Sequence, residues 1–369
     1  MRIVYLSPVP WASFAQRPHK FVEWAHRRTG DRVLWVDPYP TRFPALSDLA
    51  RPKPQSSRES ANREASWITV LKPGGIPIEP LPYSGLLNSR IWSRCFKSIE
   101  TFSQSSRVLI VIGKPSAFAL ETLERFKNCT SLYDAMDDFP AFYSGFSRAA
   151  LSGREERIAM RVDELWTSST ALKNRWDHVN GNVKLVHNAL DARIIPRVPR
   201  RHRESGSQVF GYVGTMGAWF DWEWVATLAA ARPTDEIRLI GPVFAPPRKK
   251  LPPNITFLPA CDHRAALCSM LEFDVGLIPF KATTLTESVD PIKYYEYRGV
   301  SLPVLSTYFG EMRTRDKEIG VFVSRSLHEL ESLSKQALEM ENSLELAEDF
   351  IARNSWDNRF DDARLSFFK

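Results

Sequence analysis

The run RVLIVI at 107–112 carries no polar residue after Arg107. A strand apolar on both faces must be covered on both, which is the environment of a parallel sheet wrapped by helices. The segments around it fit that demand. RIVYL (2–6) and RVLWVD (32–37) flank a helical pattern that begins near Pro18 and stops at Gly30, with proline early and glycine just past the end. SLYD (131–134), ELWTSS (164–169) and VKLVHN (183–188) follow, separated by amphipathic helical stretches. Such alternation predicts a doubly wound α/β sheet. Residues 51–66 (RPKPQSSRESANREAS) are polar and rich in Pro and Ser, and read as a surface insertion.

The alternation pauses at 192–207 (ARIIPRVPRRHRESGS) and restarts with QVFGYVG (208–214), a helix from Asp221, EIRLIG (236–241), NITFL (254–258), a helix from Asp262 and DVGLIPF (274–280). A helix at 291–298, LPVLST (302–307), the strand GVFV and terminal helices complete the pattern. The chain has 369 residues, enough for two domains at roughly 150 residues each. The expected division is 1–195, a linker at 196–207, and 208–350, with 351–369 as a C-terminal helix. Two open α/β domains in tandem are expected to face each other across a cleft, with ligands at the carboxyl ends of the strands. The loops that matter are then 7–17, 113–116, 134–142, 214–220 and 280–291.

Composition excludes several classes. Hydrophobic residues at 43% and charged residues at 25% are ordinary for a globular protein. Mean hydropathy is −0.28, and no apolar run approaches the roughly 20 residues of a membrane span. The opening MRIVYLSPVP enters a strand pattern with no signal-peptide h-region. Cys95, Cys129, Cys261 and Cys268 form no CxxC pair, which argues against a zinc ribbon or disulfide framework and fits a reducing compartment. A cytoplasmic protein is expected. Residues 1–200 hold 29 Lys/Arg against 19 Asp/Glu, and the remainder holds 20 against 24. The basic first half points to an anionic partner: nucleic acid, a membrane surface or a phosphorylated substrate.

The most informative stretch is FKATTLTESVDPIKYYEYRGVSLPV. A polar loop leads to Pro291 at a helix start, where exposed amides make an anion site for a diphosphate. Lys293 adds charge to the same oxygens, and Glu296 lies one turn on, placed to accept from ribose hydroxyls. The plain alternative is an i,i+3 ion pair on a surface helix. The glycines of GYVGTMG (211–217) allow close backbone approach, but their spacing is not that of a dinucleotide site. YDAMDDFPAF (133–142) sets three carboxylates after a strand, suited to general-base work, Mg²⁺ binding or turn capping. PVPWASFAQRPHKF (8–21) places Trp11, Arg17 and His19 after the first strand, and GKPS (113–116) places Lys114 after another. KFVEWAHRR (20–28) and RIWSRCFKSI (90–99) mix basic and aromatic residues, as membrane-facing helices or ordinary core helices both do. No helix-turn-helix, RRM or finger pattern supports nucleic acid.

ESVDPIKYYEYRGVSLPVL (287–305) resembles the C-terminal signature of GT-B glycosyltransferases, of the bacterial group 1 or family 4 type that works on cell-surface polysaccharides. YVGTMGAWFDWEWVATLAAARP with IRLIGPV resembles the opening of their nucleotide-binding domain, and NITFLPACDHRAALCSMLEFDVGLIPF the strand–helix–strand that follows. LVHNALD (185–191) is similar to the close of the acceptor domain, and NSWDNRFDDARLSFF to the final helix that crosses back to the first domain. The resemblance implies two Rossmann-like domains, the first for an acceptor and the second for a nucleoside-diphosphate sugar, UDP- or GDP-linked. It implies a hexosyltransferase of exopolysaccharide or cell-envelope glycan synthesis, with a saccharide acceptor, lipid-diphosphate-linked, met at the inner face of the membrane.

Donor contacts are then expected from Gly214, Thr215, Met216, Glu287, Ser288, Val289, Lys293, Tyr294 and Glu296. Trp11, Arg17, His19 and Lys114 are expected at the acceptor. Asp137, three residues after Asp134, is placed as the catalytic base by inverting relatives. No cofactor or metal is expected. The chain departs from the family in having AWFDWEW where Arg and Lys usually hold the diphosphate, and Glu-x8-Glu (Glu287, Glu296) in place of Glu-x7-Glu. An epimerase or phosphorylase-like enzyme on the same scaffold, or a non-catalytic sugar-nucleotide-binding module, are the alternatives.

Overall fold

The computed structural model describes residues 1–39, 66–76, 79, 84–104, 106–198, 206–340 and 343–363. The expected insertion, apart from Ser66, and residues 199–205 of the expected linker lie outside these. The chain divides into two compact units, Met1–Val186 joined by the chain end from Ala363, and His187–Asp362.

The first unit runs β1 (Arg2–Leu6), α1 (Arg17–Thr29), β2 (Val33–Val36), β3 (Ile68–Leu71), α2 (Ser84–Ser103), β4 (Val108–Ile112), α3 (Ala117–Arg125) and β5 (Thr130–Ala135). A 3₁₀ turn (Phe139–Phe142), α4 (Gly145–Ala159), β6 (Glu164–Thr167), α5 (Thr170–Trp176) and β7 (Val183–Leu185) follow. The strands lie in the order β3-β2-β1-β4-β5-β6-β7, all parallel. β4, the apolar run, is buried along its whole length, as its composition requires. β3 was not foreseen. It is a short edge strand that is only half-buried, directly after the polar stretch.

The second unit repeats the plan. It runs β8 (Val209–Val213), α6 (Trp222–Ala231), β9 (Glu236–Ile240), β10 (Ile255–Leu258), α7 (His263–Met270), β11 (Val275–Ile278), α8 (Ile292–Gly299) and β12 (Val304–Thr307). A 3₁₀ turn (Gly310–Arg313), β13 (Val321–Ser324), α9 (Leu330–Glu339), α10 (Leu344–Asn354) and α11 (Trp356–Ala363) complete it. Its strands lie in the order β10-β9-β8-β11-β12-β13, again parallel. Both sheets therefore reverse direction beside their first strand, between β1 and β4 and between β8 and β11. Crevices open at such switch points, at the carboxyl ends of the strands.

The change of unit falls at Val186/His187, earlier than the expected boundary at 195. The segment after β7 is hydrogen-bonded into the second unit: Asn188 N–H and side chain donate to Asp290 at 2.6 and 2.7 Å, and Leu190 exchanges bonds with Asn354 and Trp356. Of the expected helix 351–369, residues 351–363 fall in α10 and α11 and 364–369 lie outside the described residues; residues to Asp362 belong with the second unit.

The aromatic residues of the two basic segments face inward. Phe21, Val22, Trp24 and Ala25 of α1 and Trp92, Phe96 and Ile99 of α2 are buried, which makes these core helices. The outer face of α2 exposes Leu87 and Ile91 beside Arg90 and Arg94. Among the described residues no helix is long and apolar enough to cross a membrane.

Arg17, expected to meet an acceptor anion, meets an internal one. Its guanidinium is 3% exposed and donates to Asp134 at 2.7–3.0 Å, and to Val186 O at 2.7 Å. One side chain thus ties the first turn of α1 to the end of β5 and to the chain leaving β7. Removing one partner of a buried pair strands the other charge at a cost of about 3–5 kcal/mol. Arg17→Met is expected to lower unfolding free energy by about that amount in urea titration, and a loss within error of zero would show the pair to be dispensable.

Candidate active site

The carboxyl end of the first sheet forms a recess of about 290 Å³ whose lining includes Pro8, Val9, Glu79, Lys114, Asp137 and Phe139, with Phe142, Tyr143, Leu151 and Arg154 beside them. Pro8 and Val9, Lys114 and Asp137 come from the loops after β1, β4 and β5, Glu79 from the segment between β3 and α2, and Leu151 and Arg154 from α4. Asp137 and Lys114, foreseen as site residues, are brought together here. Lys114 is half-buried; burial depresses its ammonium, opposed by Glu79. Among the described residues neither Asp137 nor Lys114 makes a hydrogen bond or ion pair.

Asp137 is surrounded by protein although part of its surface opens to the recess. That burial raises its carboxyl to about 7; Arg17 opposes the rise, while Asp134 and Asp138 add to it. The three carboxylates of the segment do not converge. Asp134 is taken by Arg17 and Asp138 by Arg175 at 2.9 Å, leaving Asp137 as the one that faces the recess. Among the described residues no group of three or more His, Cys, Asp or Glu is placed to hold a metal.

His19 and Trp11 pack against each other at the start of α1. His19 is fully buried. Its Nδ1 accepts from Gln16 N–H at 3.2 Å, so the proton sits on Nε2, which donates to Trp11 O at 3.2 Å. The rings of Trp11, His19 and Trp35 pack together at 4.8–5.2 Å. A histidine three residues after a helix cap, followed by apolar residues at helical spacing, was the available signal for that packing.

In the second unit the carboxyl end is built from the loops after β8 and β11. They are fastened to each other: Asp221 N–H donates to Pro279 O and Lys281 N–H to Trp219 O, both at 2.8 Å. Gly214 and Gly241 lie in contact at the ends of β8 and β9, where a side chain on Gly241 would collide with Gly214 O. Thr215 and Gly214 are partly open, whereas Met216 is fully buried, with its backbone paired to Val243 and Pro242. Met216 is therefore a core residue.

The loop 283–290 is folded on itself before α8. Thr286 accepts from Thr283 N–H at 2.9 Å, and Val289 N–H donates to Thr286 O at 3.1 Å. The 3₁₀ turn after β12 backs it, with Glu311 N–H on Val289 O at 3.1 Å. The amides of Ser288, Asp290, Ile292 and Lys293 carry no acceptor among the described residues. Pro291 has none to offer.

Glu296 is the electrostatic centre of this end. It is 5% exposed, and accepts from Lys293 Nζ at 2.5 Å and His263 Nε2 at 2.7 Å. Burial alone would raise its carboxyl; Lys293 and His263 outweigh burial and hold it at about 2. The i,i+3 pair is present, but its carboxylate is buried and shared with a third residue. His263, the first residue of α7, was missed. The Asp262 cap was legible, but nothing in the sequence announces a partner 33 residues away.

Tyr294 and Glu287 are placed otherwise than expected. Tyr294 is buried against Phe350 and Arg315 and donates to Glu318, on the opposite side of α8 from Lys293 and Glu296. Glu287 is exposed and held by Arg313 at 2.6 Å. Asp290, also missed, lies buried between Arg315 at 2.5 Å, Tyr295 at 2.9 Å and Asn188; Arg315 and His187 overcome burial and lower its carboxyl.

The fold is that of the GT-B glycosyltransferases, with two Rossmann-like sheets. HepE of Anabaena in complex with UDP-glucose superposes with a TM-score of 0.68 at 14% identity over 98% of both chains. Sucrose-phosphate synthase from Thermosynechococcus elongatus gives 0.67 at 12% identity, covering 97% of this chain and 96% of that one. The apo lipopolysaccharide outer core galactosyltransferase WaaB gives 0.64 at 11%, covering 98% and 99%. In sequence, the chain is 24% identical over 198 residues to TuaH of Bacillus subtilis (strain 168), whose name assigns it to teichuronic acid biosynthesis as a glycosyltransferase. The match spans 48% of this chain and about half, 50%, of that protein's length. No family model matches.

Gly310 shapes the donor-side loop. Its φ of +39° disfavours a side chain, and an added Cβ would lie 2.5 Å from Val289 O and 2.6 Å from Thr286 O. Gly310→Ala is expected to cost about 1–3 kcal/mol in chemical denaturation. Gly153→Ala, in open space on α4, is the control and is expected to stabilise by about 0.5–1 kcal/mol.

Proposed function

We propose that this chain is a glycosyltransferase that moves a hexosyl group from a UDP-sugar to a saccharide acceptor. The observation that carries the reading is the buried Glu296 carboxylate, fixed by Lys293 and His263 beside the start of α8 in a GT-B second domain. In this reading Glu296 accepts from ribose hydroxyls with its remaining lone pairs. Lys293 and the amides of 288, 290 and 292 hold the diphosphate, where donors at a leaving group stabilise charge as it develops. UDP rather than GDP is favoured because HepE, which shares the fold, is in complex with UDP in one structure and UDP-glucose in another.

The first unit would take the acceptor. The recess sets Lys114 and Arg154 among Phe139, Phe142 and Tyr143, a mixture suited to a saccharide carried on a lipid diphosphate in cell-envelope glycan synthesis. Exposed Phe142 and Phe146 nearby fit a peripheral approach to an anionic membrane. Asp137 would remove the proton from the acceptor hydroxyl as its oxygen bonds to the anomeric carbon and UDP departs. Direct displacement of that kind inverts the anomeric carbon, so a product that retains the donor's configuration overturns the role of Asp137.

Two measurements test the proposal. A thermal-shift screen is expected to single out UDP and a UDP-sugar over GDP, ADP and NAD, since a ligand at 100 times its Kd stabilises by about 2.7 kcal/mol. Lys293→Ala is expected to weaken UDP binding by about tenfold to a hundredfold; equal affinity rejects the assignment. For catalysis, kcat/KM is expected to rise with pH through about 7, because the base acts deprotonated and its carboxyl is raised to that value. Asp137→Asn is expected to lower kcat by about 10²–10⁴-fold with UDP affinity intact, and near-normal turnover would reject it as the base.

A further inference from the structure

On the other side of α8 from Lys293 lies a second recess, about 620 Å³ in volume, within the roughly 300–1,000 Å³ of ordinary small-molecule pockets. Five cationic side chains line it, Arg298, Arg315, Lys317, Arg353 and Arg359, against the single carboxylate of Glu318. Arg315 is already matched by Asp290 at 2.5 Å. The others are not matched by carboxylates. Arg298 is 4% exposed; its Nη1 reaches only Leu302 O at 3.1 Å, and its Nε is buried with no acceptor. Arg359 donates from Nη2 to Asn354 at 2.9 Å, and its Nε is likewise buried without an acceptor. Arg353 donates to Asp349 O at 3.2 Å, and Lys317 has no partner among the described residues. Gly320 keeps room for the Arg298 guanidinium, since a Cβ there would lie 2.5 Å from Nη1. Buried guanidinium donors are ordinarily satisfied, and the two guanidinium groups on this recess keep hydrogen-bonding capacity that the described residues do not use.

We propose that this recess binds a phosphate-bearing small molecule of sugar-phosphate size, with Arg298 and Arg359 on the phosphate and Lys317 and Arg353 at the rim. Planar guanidinium groups recognise phosphate oxygens through paired N–H donors. The aromatic rings of Tyr294, Tyr295 and Phe350, which also line the recess, offer a surface for the carbon skeleton. The site is separate from Lys293 and Glu296 and does not rest on the transferase reading. Occupancy would act on α8 from the side opposite those two residues.

Isothermal titration of the full chain with inorganic phosphate, pyrophosphate and glucose 6-phosphate, with and without saturating UDP, tests this. Glucose 6-phosphate is expected to bind equally in both conditions. The rim variant Lys317→Ala/Arg353→Ala, which leaves the buried arginines in place, is expected to raise its Kd by about tenfold or more. Arg359→Gln is expected to do the same. Three results would overturn the proposal: no heat from any of the three, displacement by UDP, or variants that bind as wild type does.

Discussion

The buried Arg17–Asp134 pair sets the geometry of the first unit's carboxyl end. A charged pair so deep is costly unless every donor is used, and here the guanidinium is spent on Asp134 and Val186 O. That fixes where β5 ends relative to α1, and hence where Asp137 emerges three residues later. It also fixes the charge. With Asp134 neutralised in place, Asp137 feels mainly its own burial, with Arg17 pulling it down and two carboxylates pushing it up. A carboxyl balanced near neutrality is what a proton acceptor at cellular pH requires.

The second unit applies the same physics to an opposite end. Glu296 is buried as Asp137 is, but two donors lie within 2.7 Å of it, and it is held fully ionised. The two carboxyls differ in their hydrogen-bond partners more than in their depth. Asp290 follows Glu296: it is buried, is paired with Arg315, and links the start of α8 to Asn188. The end of the 283–291 loop is thus anchored by an ionic contact and its start by hydrogen bonds between Thr283 and Thr286, and Gly310 presses its middle from behind.

Much of this was legible in the sequence because it was local. Uninterrupted apolar runs announced the parallel sheets, and the spacing of Lys293 and Glu296 on one helix put their contact within reach of simple counting. The strand β3 escaped because four residues at a half-buried edge carry little pattern. His263 escaped because its link to Glu296 is made by the fold. Arg17 and His19 were read as ligand-facing because a basic loop at a strand end looks alike whether its charges meet a substrate or the interior. Tyr294 shows the limit of a motif: adjacent residues of one helix turn to different sides, and only packing against Phe350 shows which. The expected linker at 196–207 rested on local Pro, Arg, Ser and Gly content, whereas Asn188 is bonded to Asp290 through the fold.

The strand order has a consequence for how the chain is made. In each sheet the first strand to be synthesised lies third from one edge, yet one of its two neighbours comes late: β1 at Arg2 waits for β4 at Val108, and β8 at Val209 for β11 at Val275. Pairings of such long sequence separation are slow to form. Until they form, an apolar strand edge stands open to other chains. During translation, then, the first unit depends on whatever shields β1, and its most vulnerable period ends only when the RVLIVI run is released.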